Sequence, residues 1–99
     1  MAKIAQKTLS WGASSDADVI GYRLRWAIPP ALIDYTTPSF DVGKVTQVAL
    51  PVTGMPLIDG QLTMGLTAVD DVGNESDIAT LTAPFDLVAP APPTGLMIV

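Results

Sequence analysis

The 99-residue chain contains neither cysteine nor histidine. Without cysteine it can form no disulfide and no thiolate metal site. Without histidine it lacks the usual general base and the commonest metal ligand, so its serine hydroxyls have no imidazole to activate them. We therefore predict a protein that is not an enzyme and that needs no cofactor.

Positive charge is also scarce. Five lysine and arginine residues stand against ten acidic ones, which gives a net charge of −5. Phosphate binding requires a cationic stripe, so nucleic acid is excluded as a partner.

No run approaches the ~20 apolar residues of a membrane span, and no secretory apolar segment follows the N-terminus. The location stays open between the cytoplasm, a virion-type particle and, for a chain whose signal has been removed, the cell exterior.

Hydrophobic residues, by contrast, make up 48% of the chain, and only 15% of it is charged. A composition this apolar in a small domain indicates that some exposed apolar surface binds a partner.

Apolar residues alternate with polar ones in two neighbouring stretches, at residues 62–69 and within residues 78–88. Alternation with a period of two is typical of strands with one buried face. Residues 70–74 (DDVGN) between them contain the Gly and Asn of a tight reversal. The pattern predicts a hairpin whose inward residues are Leu62, Met64, Leu66, Ala68, Leu81, Ala83, Phe85 and Leu87.

Further strands are predicted at residues 7–11, 19–26 and 45–52, with Lys7 at an inward position. Their other inward residues are Leu9, Trp11, Ile20, Tyr22, Leu24, Trp26, Val48 and Leu50. In residues 19–26, Gly21, Arg23 and Arg25 are predicted to face the other way. No segment keeps a helical period, and turns recur at the spacing of a β-sandwich. The predicted fold class is all-β, an antiparallel two-sheet sandwich.

Residues 9–11 (LSW), 18–24 (DVIGYRL), 67–70 (TAVD) and 73–76 (GNES) resemble a fibronectin type III domain. The resemblance covers residues 9–88 and implies an immunoglobulin-like sandwich with strands B to G within residues 1–88. Two departures matter: Leu62 stands where the family has its corner tyrosine, and the F–G turn carries no Arg-Gly-Asp.

The family begins with a strand A, but only residues 1–6 precede the predicted strand B. Residues 89–99 instead resemble the linker and strand A of a next repeat, with Pro90, Pro92 and Pro93 followed by Leu96, Met97, Ile98 and Val99. We expect this tail to add as a strand to the open edge of another copy, with Leu96 and Ile98 facing inward. The predicted function is head-to-tail self-association that builds a filament or shell. A larger particle or fibre is a further predicted partner.

In the resembled fold the B–C and F–G loops share one pole. That would gather six acidic residues there, Asp16, Asp18, Asp70, Asp71, Glu75 and Asp77. Oxygen ligands at this density could hold Ca²⁺. Because Asp and Asn also favour turns and no calcium-loop spacing is present, solvated turns are the preferred interpretation.

Residues 27–40 are predicted to form a long connection, because Pro29, Pro30 and Pro38 exclude a central strand. Four of its side chains form a candidate interface loop, Ile28, Leu32, Ile33 and Tyr35. Two alternatives to self-assembly stay open. One is a monomeric module that binds a carbohydrate or protein through its B–C and F–G loops, and the other is a repeat from a multidomain extracellular protein.

Overall fold

Residues 2–99, the part of the chain that the computed structural model describes, form six β-strands and no helix. The strands are β1 (Lys7–Ser10), β2 (Val19–Ala27), β3 (Phe40–Gly43), β4 (Gln47–Leu50), β5 (Asp59–Asp70) and β6 (Ala79–Asp86).

The strands make two antiparallel sheets. One contains four strands in the order β3-β2-β5-β6, and the other contains β1 and β4. Leu24, Leu62 and Phe85 from the larger sheet and Leu50 from the smaller one belong to a single buried cluster. The predicted all-β, two-sheet antiparallel architecture is thereby confirmed.

The hairpin of β5 and β6 is the longest uninterrupted ladder in the larger sheet. It pairs Leu62 with Ala83 and Met64 with Leu81. In the turn after β5, Gly73 has a positive φ of 91°, and the Asp70 carboxylate accepts a hydrogen bond from the Asn74 N–H at 2.7 Å. Glycine tolerates this backbone conformation without steric cost, so the predicted turn chemistry accounts for the reversal.

A β-bulge near the start of β2 corrects one predicted face. Val19 pairs with Asp70 and Gly21 pairs with Val69, which leaves one extra residue in β2. Such a residue shifts the alternation by one position. Val19 is therefore buried, whereas Ile20, predicted to face inward, is 59% exposed.

The other elements differ from prediction mainly in extent. Val48 and Leu50 face the core as predicted, although β4 is shorter than expected. The short strand β3 was not predicted, and it pairs with β2 through Leu24 and Phe40. Lys7 pairs with Leu50 at an inward register position, but its side chain is exposed at the end of the sheet.

Candidate interaction surfaces

The C-terminal tail carries four consecutive apolar side chains that nothing in the structure covers. Leu96, Met97, Ile98 and Val99 are 95%, 73%, 102% and 112% exposed, respectively. The last anchored residue before them is Leu87, which is fully buried and whose N–H donates to the Ile58 carbonyl at 2.8 Å. Pro90, Pro92 and Pro93 lie in the exposed linker between this anchor and the tail.

Strand β1 has one paired edge and one open edge within residues 2–99, because β4 is its sole neighbour there. The Trp11 N–H donates to the Thr46 carbonyl at 3.0 Å on the β4 side. Main-chain groups in an antiparallel ladder point alternately to the two sides. The N–H and C=O groups of Thr8 and Ser10 therefore point to the open edge, as an added strand would require.

An apolar groove of about 130 Å³ lies beside this open edge, between the two sheets. Leu9 and Trp11 line it from the β1 side, Met64 and Leu66 from β5, and Ala79 and Leu81 from β6. We call it the β1–β6 groove.

Leu81 shows that the groove is an uncovered part of the core. Along the inward face of β6, Leu87 is 0% and Phe85 7% exposed, yet Leu81 is 53% exposed. Leu81 therefore lies on the predicted inward face of β6 without being buried. The smaller sheet has only two strands, so it does not extend over this end of β6.

Both tryptophans are half-buried rather than central to the core. Trp11 packs edge-on against Tyr22, with ring centroids 5.5 Å apart and an interplanar angle of 61°. Its Nε1 is buried and has no hydrogen-bond partner among the described residues. Trp26 packs at the margin of the main cluster.

On the opposite face of the larger sheet, Arg25 lies in a charged cluster that the sequence did not reveal. Its Nη1 donates to Glu75 Oε1 at 2.8 Å, and its Nε donates to the Thr37 carbonyl at 2.9 Å. The Thr67 hydroxyl donates to the same Glu75 oxygen at 2.7 Å. The Arg25 side chain is only 4% exposed, although the alternation in β2 places it on the face opposite the core.

Glu75 is the centre of this cluster. A second arginine, Arg23, donates to its other carboxylate oxygen at 3.2 Å. The hydrogen bond from Arg25, followed by that from Thr67 and the two positive charges, lowers the pKa of Glu75 to about 2. Glu75 is consequently ionised at any physiological pH, and it balances two arginines.

The connection between β2 and β3 covers this cluster and divides the four residues of the candidate interface loop. The Tyr35 ring lies 5.9 Å from the Arg25 guanidinium carbon, and its hydroxyl donates to the Ser76 carbonyl at 2.9 Å. Ile33 packs over Gly65 so closely that a Cβ there would lie 3.2 Å from it. By contrast, Ile28 is 50%, Tyr35 52% and Leu32 89% exposed. These three side chains can meet a partner without leaving the domain, and Leu32 has the largest exposed fraction.

The acidic residues of the two loops do not gather as one group. Asp18, Asp70 and Asp71 each place a carboxylate oxygen within 4.8 Å of the others. Both oxygens of Asp70 already accept hydrogen bonds, from Val72 and Asn74. Glu75 is held by the arginines, and Asp16 and Asp77 are exposed outside the group of three. The arrangement is that of a hydrogen-bonded turn beside solvated carboxylates.

A comparison of the chain with models of known protein families gives no match, and comparisons with curated protein sequences and with solved structures give none either. Among residues 2–99, no helix is long and apolar enough to cross a membrane.

Proposed function

We propose that this protein is a non-enzymatic structural module, of the fibronectin type III kind, that associates head-to-tail with copies of itself. The strand order supports the family assignment. In an immunoglobulin-like sandwich, strands C, F and G are neighbours in one sheet and B and E in the other. Strands β2, β5 and β6 and the pair of β1 and β4 have these same neighbours.

The observation that carries the proposal is the exposed tail, residues 96–99. Burying an aliphatic side chain of this size is worth about 1.5–3 kcal/mol. The open edge of β1 offers the main-chain groups that an extended peptide would pair with, as in β-augmentation. We therefore propose that the tail of one copy adds to β1 of the next.

Geometry favours a second copy over the tail's own domain. A strand antiparallel to β1 must begin near Trp11, beside the start of β6, whereas the tail leaves from the end of β6. The way back from Leu87 to the level of Ala79 is about 26 Å, at ~3.3 Å per residue of strand. The nine steps from Leu87 to Leu96 span about 28 Å as polyproline II. That leaves about 2 Å for the two reversals of direction and for the ~10 Å that separates packed sheets.

Such a contact is heterologous, since the donated tail and the accepting edge are different surfaces, and it builds an open chain of subunits. Two inward side chains supply about 3–6 kcal/mol, which barely meets an association cost of about 4–15 kcal/mol. A lasting assembly needs further contacts between subunits, and the exposed Ile28 and Leu32 are available for them.

The test is deletion of residues 94–99, with size measured by light scattering over a concentration series. We expect the full chain to form a series of oligomers and the truncated chain to be a folded monomer. Ala91→Asp, in the exposed linker, is the control, because it adds charge without removing the tail and should leave assembly intact. Unchanged assembly of the truncated chain would refute the proposal. A strictly monomeric full chain would favour the alternative of a binding module that uses its loops.

A further inference from the structure

We propose that the β1–β6 groove is the site that receives the tail of a second copy, with Leu96 opposite Trp11 and Ile98 opposite Leu9. This inference rests on the proposed function and adds to it the acceptor site, the strand direction and the register.

The groove has two levels whose spacing matches a strand. Trp11, Leu66 and Ala79 also line a second cavity together, whereas Leu9, Met64 and Leu81 do not reach it, so the groove residues divide into two levels. Met64 pairs with Leu81 and Leu66 with Ala79, so the levels lie two residues apart on both β5 and β6. Alternate side chains of an incoming strand are separated by the same two residues, about 6.8 Å. One residue of the tail can therefore face each level.

The chemistry of the groove fits aliphatic side chains. Its volume of about 130 Å³ is close to that of the ~150 Å³ apolar cavity known to accept benzene. Covering Leu81 would complete the burial that Phe85 and Leu87 already have on the same face. Within residues 2–99, the tail is the exposed segment that carries four consecutive apolar residues. It is also too short to fold back to the groove of its own domain.

The main chain of β1 sets the register. Thr8 and Ser10 face the open edge, so they would form hydrogen-bonded pairs with Val99 and Met97 of an antiparallel tail. Leu9 and Trp11 would then stand opposite Ile98 and Leu96 in the closer, non-hydrogen-bonded pairs. We assign the antiparallel direction because such pairs are more stable per residue than parallel ones and match the existing pairing of β1 with β4.

Disulfide formation between copies tests this register directly, because the chain has no cysteine of its own. Leu9→Cys is mixed, in separate experiments, with chains that carry cysteine at position 96, 97, 98 or 99. Non-hydrogen-bonded partners have Cα atoms about 4.5 Å apart, within the ~4.4–6.8 Å that a disulfide spans. We expect Ile98→Cys to give at least a fivefold larger yield of mixed disulfide than any other tail position, as read by mass spectrometry of oxidised samples.

A second variant covers the case in which Leu9→Cys fails to fold. Leu81→Arg places a charge in the groove, whereas Ile20→Arg places one at a residue of similar exposure on the outer face of β2. We expect Leu81→Arg to raise the concentration needed for assembly at least tenfold and Ile20→Arg to change it less than twofold.

The outcomes separate the two proposals. If deletion of residues 94–99 abolishes assembly, yet no tail cysteine couples to Leu9→Cys and Leu81→Arg behaves like Ile20→Arg, the β1 edge and its groove are the wrong acceptor. Head-to-tail association through the tail would then stand, with another surface as the acceptor. A dominant disulfide from position 97 or 99 would mean a one-residue slip, and one from position 96 a reversed strand. Either would overturn the register. Assembly that survives the deletion would overturn both proposals.

Discussion

Glu75 is a single residue that links the connection between β5 and β6 to strands β2 and β5. It accepts hydrogen bonds from Arg23 and Arg25 on β2 and from Thr67 on β5. A buried ion pair contributes little net stability when it is complete, but losing one partner leaves an uncompensated charge. Because Arg25 is buried, removing the Glu75 carboxylate should lower the stability of the domain.

We expect Glu75→Gln to lower the free energy of unfolding by about 2–4 kcal/mol, since Arg25 would keep its burial and lose its counter-charge. Urea denaturation at neutral pH and at protein concentrations below assembly measures it. Asp41→Asn is the matched control, because it removes the other carboxylate bound to Arg23. Asp41 is 77% exposed, and an exposed pair is worth about 1 kcal/mol or less. Equal losses in the two variants would contradict the assigned role.

The difference in stability between the wild type and Glu75→Gln should also depend on pH. The pKa of Glu75 is about 2 in the folded state against an ordinary value of 4.5. A lowered pKa gives stability that is fully present above 4.5 and is lost as the pH falls from there towards 2. We expect the stability difference between the wild type and Glu75→Gln to shrink over this window. Other carboxylates titrate in both proteins and cancel in the difference.

The alternation of residues in β2 correctly predicted that Arg23 and Arg25 share the face opposite the core. It could not predict that Arg25 is buried, because its cover comes from Tyr35 and Thr37, ten or more positions further on. The outward position of Ile20 was equally hidden, since a bulge leaves no mark in a hydrophobic pattern. Local periodicity reports the face on which a side chain lies and not what covers that face.

At the scale of elements, the connection between β2 and β3 is both a cover and a source of exposed apolar surface. The four apolar residues of this connection were predicted to form one candidate interface. The structure sets Ile33, which is half-buried against Gly65, apart from Ile28, Leu32 and Tyr35, which are exposed.

We expect Ile33→Ser to cost about 1–2 kcal/mol of unfolding free energy, because the half-buried side chain loses its packing against Gly65. Leu32→Ser, in contrast, should leave the stability of the tail-deleted chain unchanged within about 0.5 kcal/mol, while it weakens assembly of the full chain. The two neighbouring substitutions serve as controls for each other. Equal stability losses would show that Leu32 also belongs to the cover, and unaltered assembly would remove it from the contact between subunits.

Elements with strong alternation were predictable, and those without it were not. The hairpin of β5 and β6 appears in the sequence because apolar residues alternate on both sides of a Gly-Asn turn. Strand β3 directly follows a connection that contains three prolines, and its pairing with β2 depends on the path of that connection.

At the scale of the whole molecule, composition and turn spacing sufficed for the two-sheet sandwich. The β1–β6 groove could not be predicted in the same way, because it results from two sheets of unequal width. A pattern of residues marks Leu81 as inward, but only the stacking of four strands on two shows that this end of β6 is uncovered.

The separation of the tail from the groove has a consequence for how an assembly would grow. In the proposed assembly, donor and acceptor strands would run in one direction throughout, so the chain of subunits would be polar and its two ends chemically distinct. A tail-deleted copy would accept a tail but could not give one, and Leu81→Arg would give a tail but accept one poorly. Each would thus terminate growth at one end only. Traces of either should shorten the assemblies roughly as the inverse of the added fraction, as read by light scattering, and a mixture of the two alone should stop at dimers.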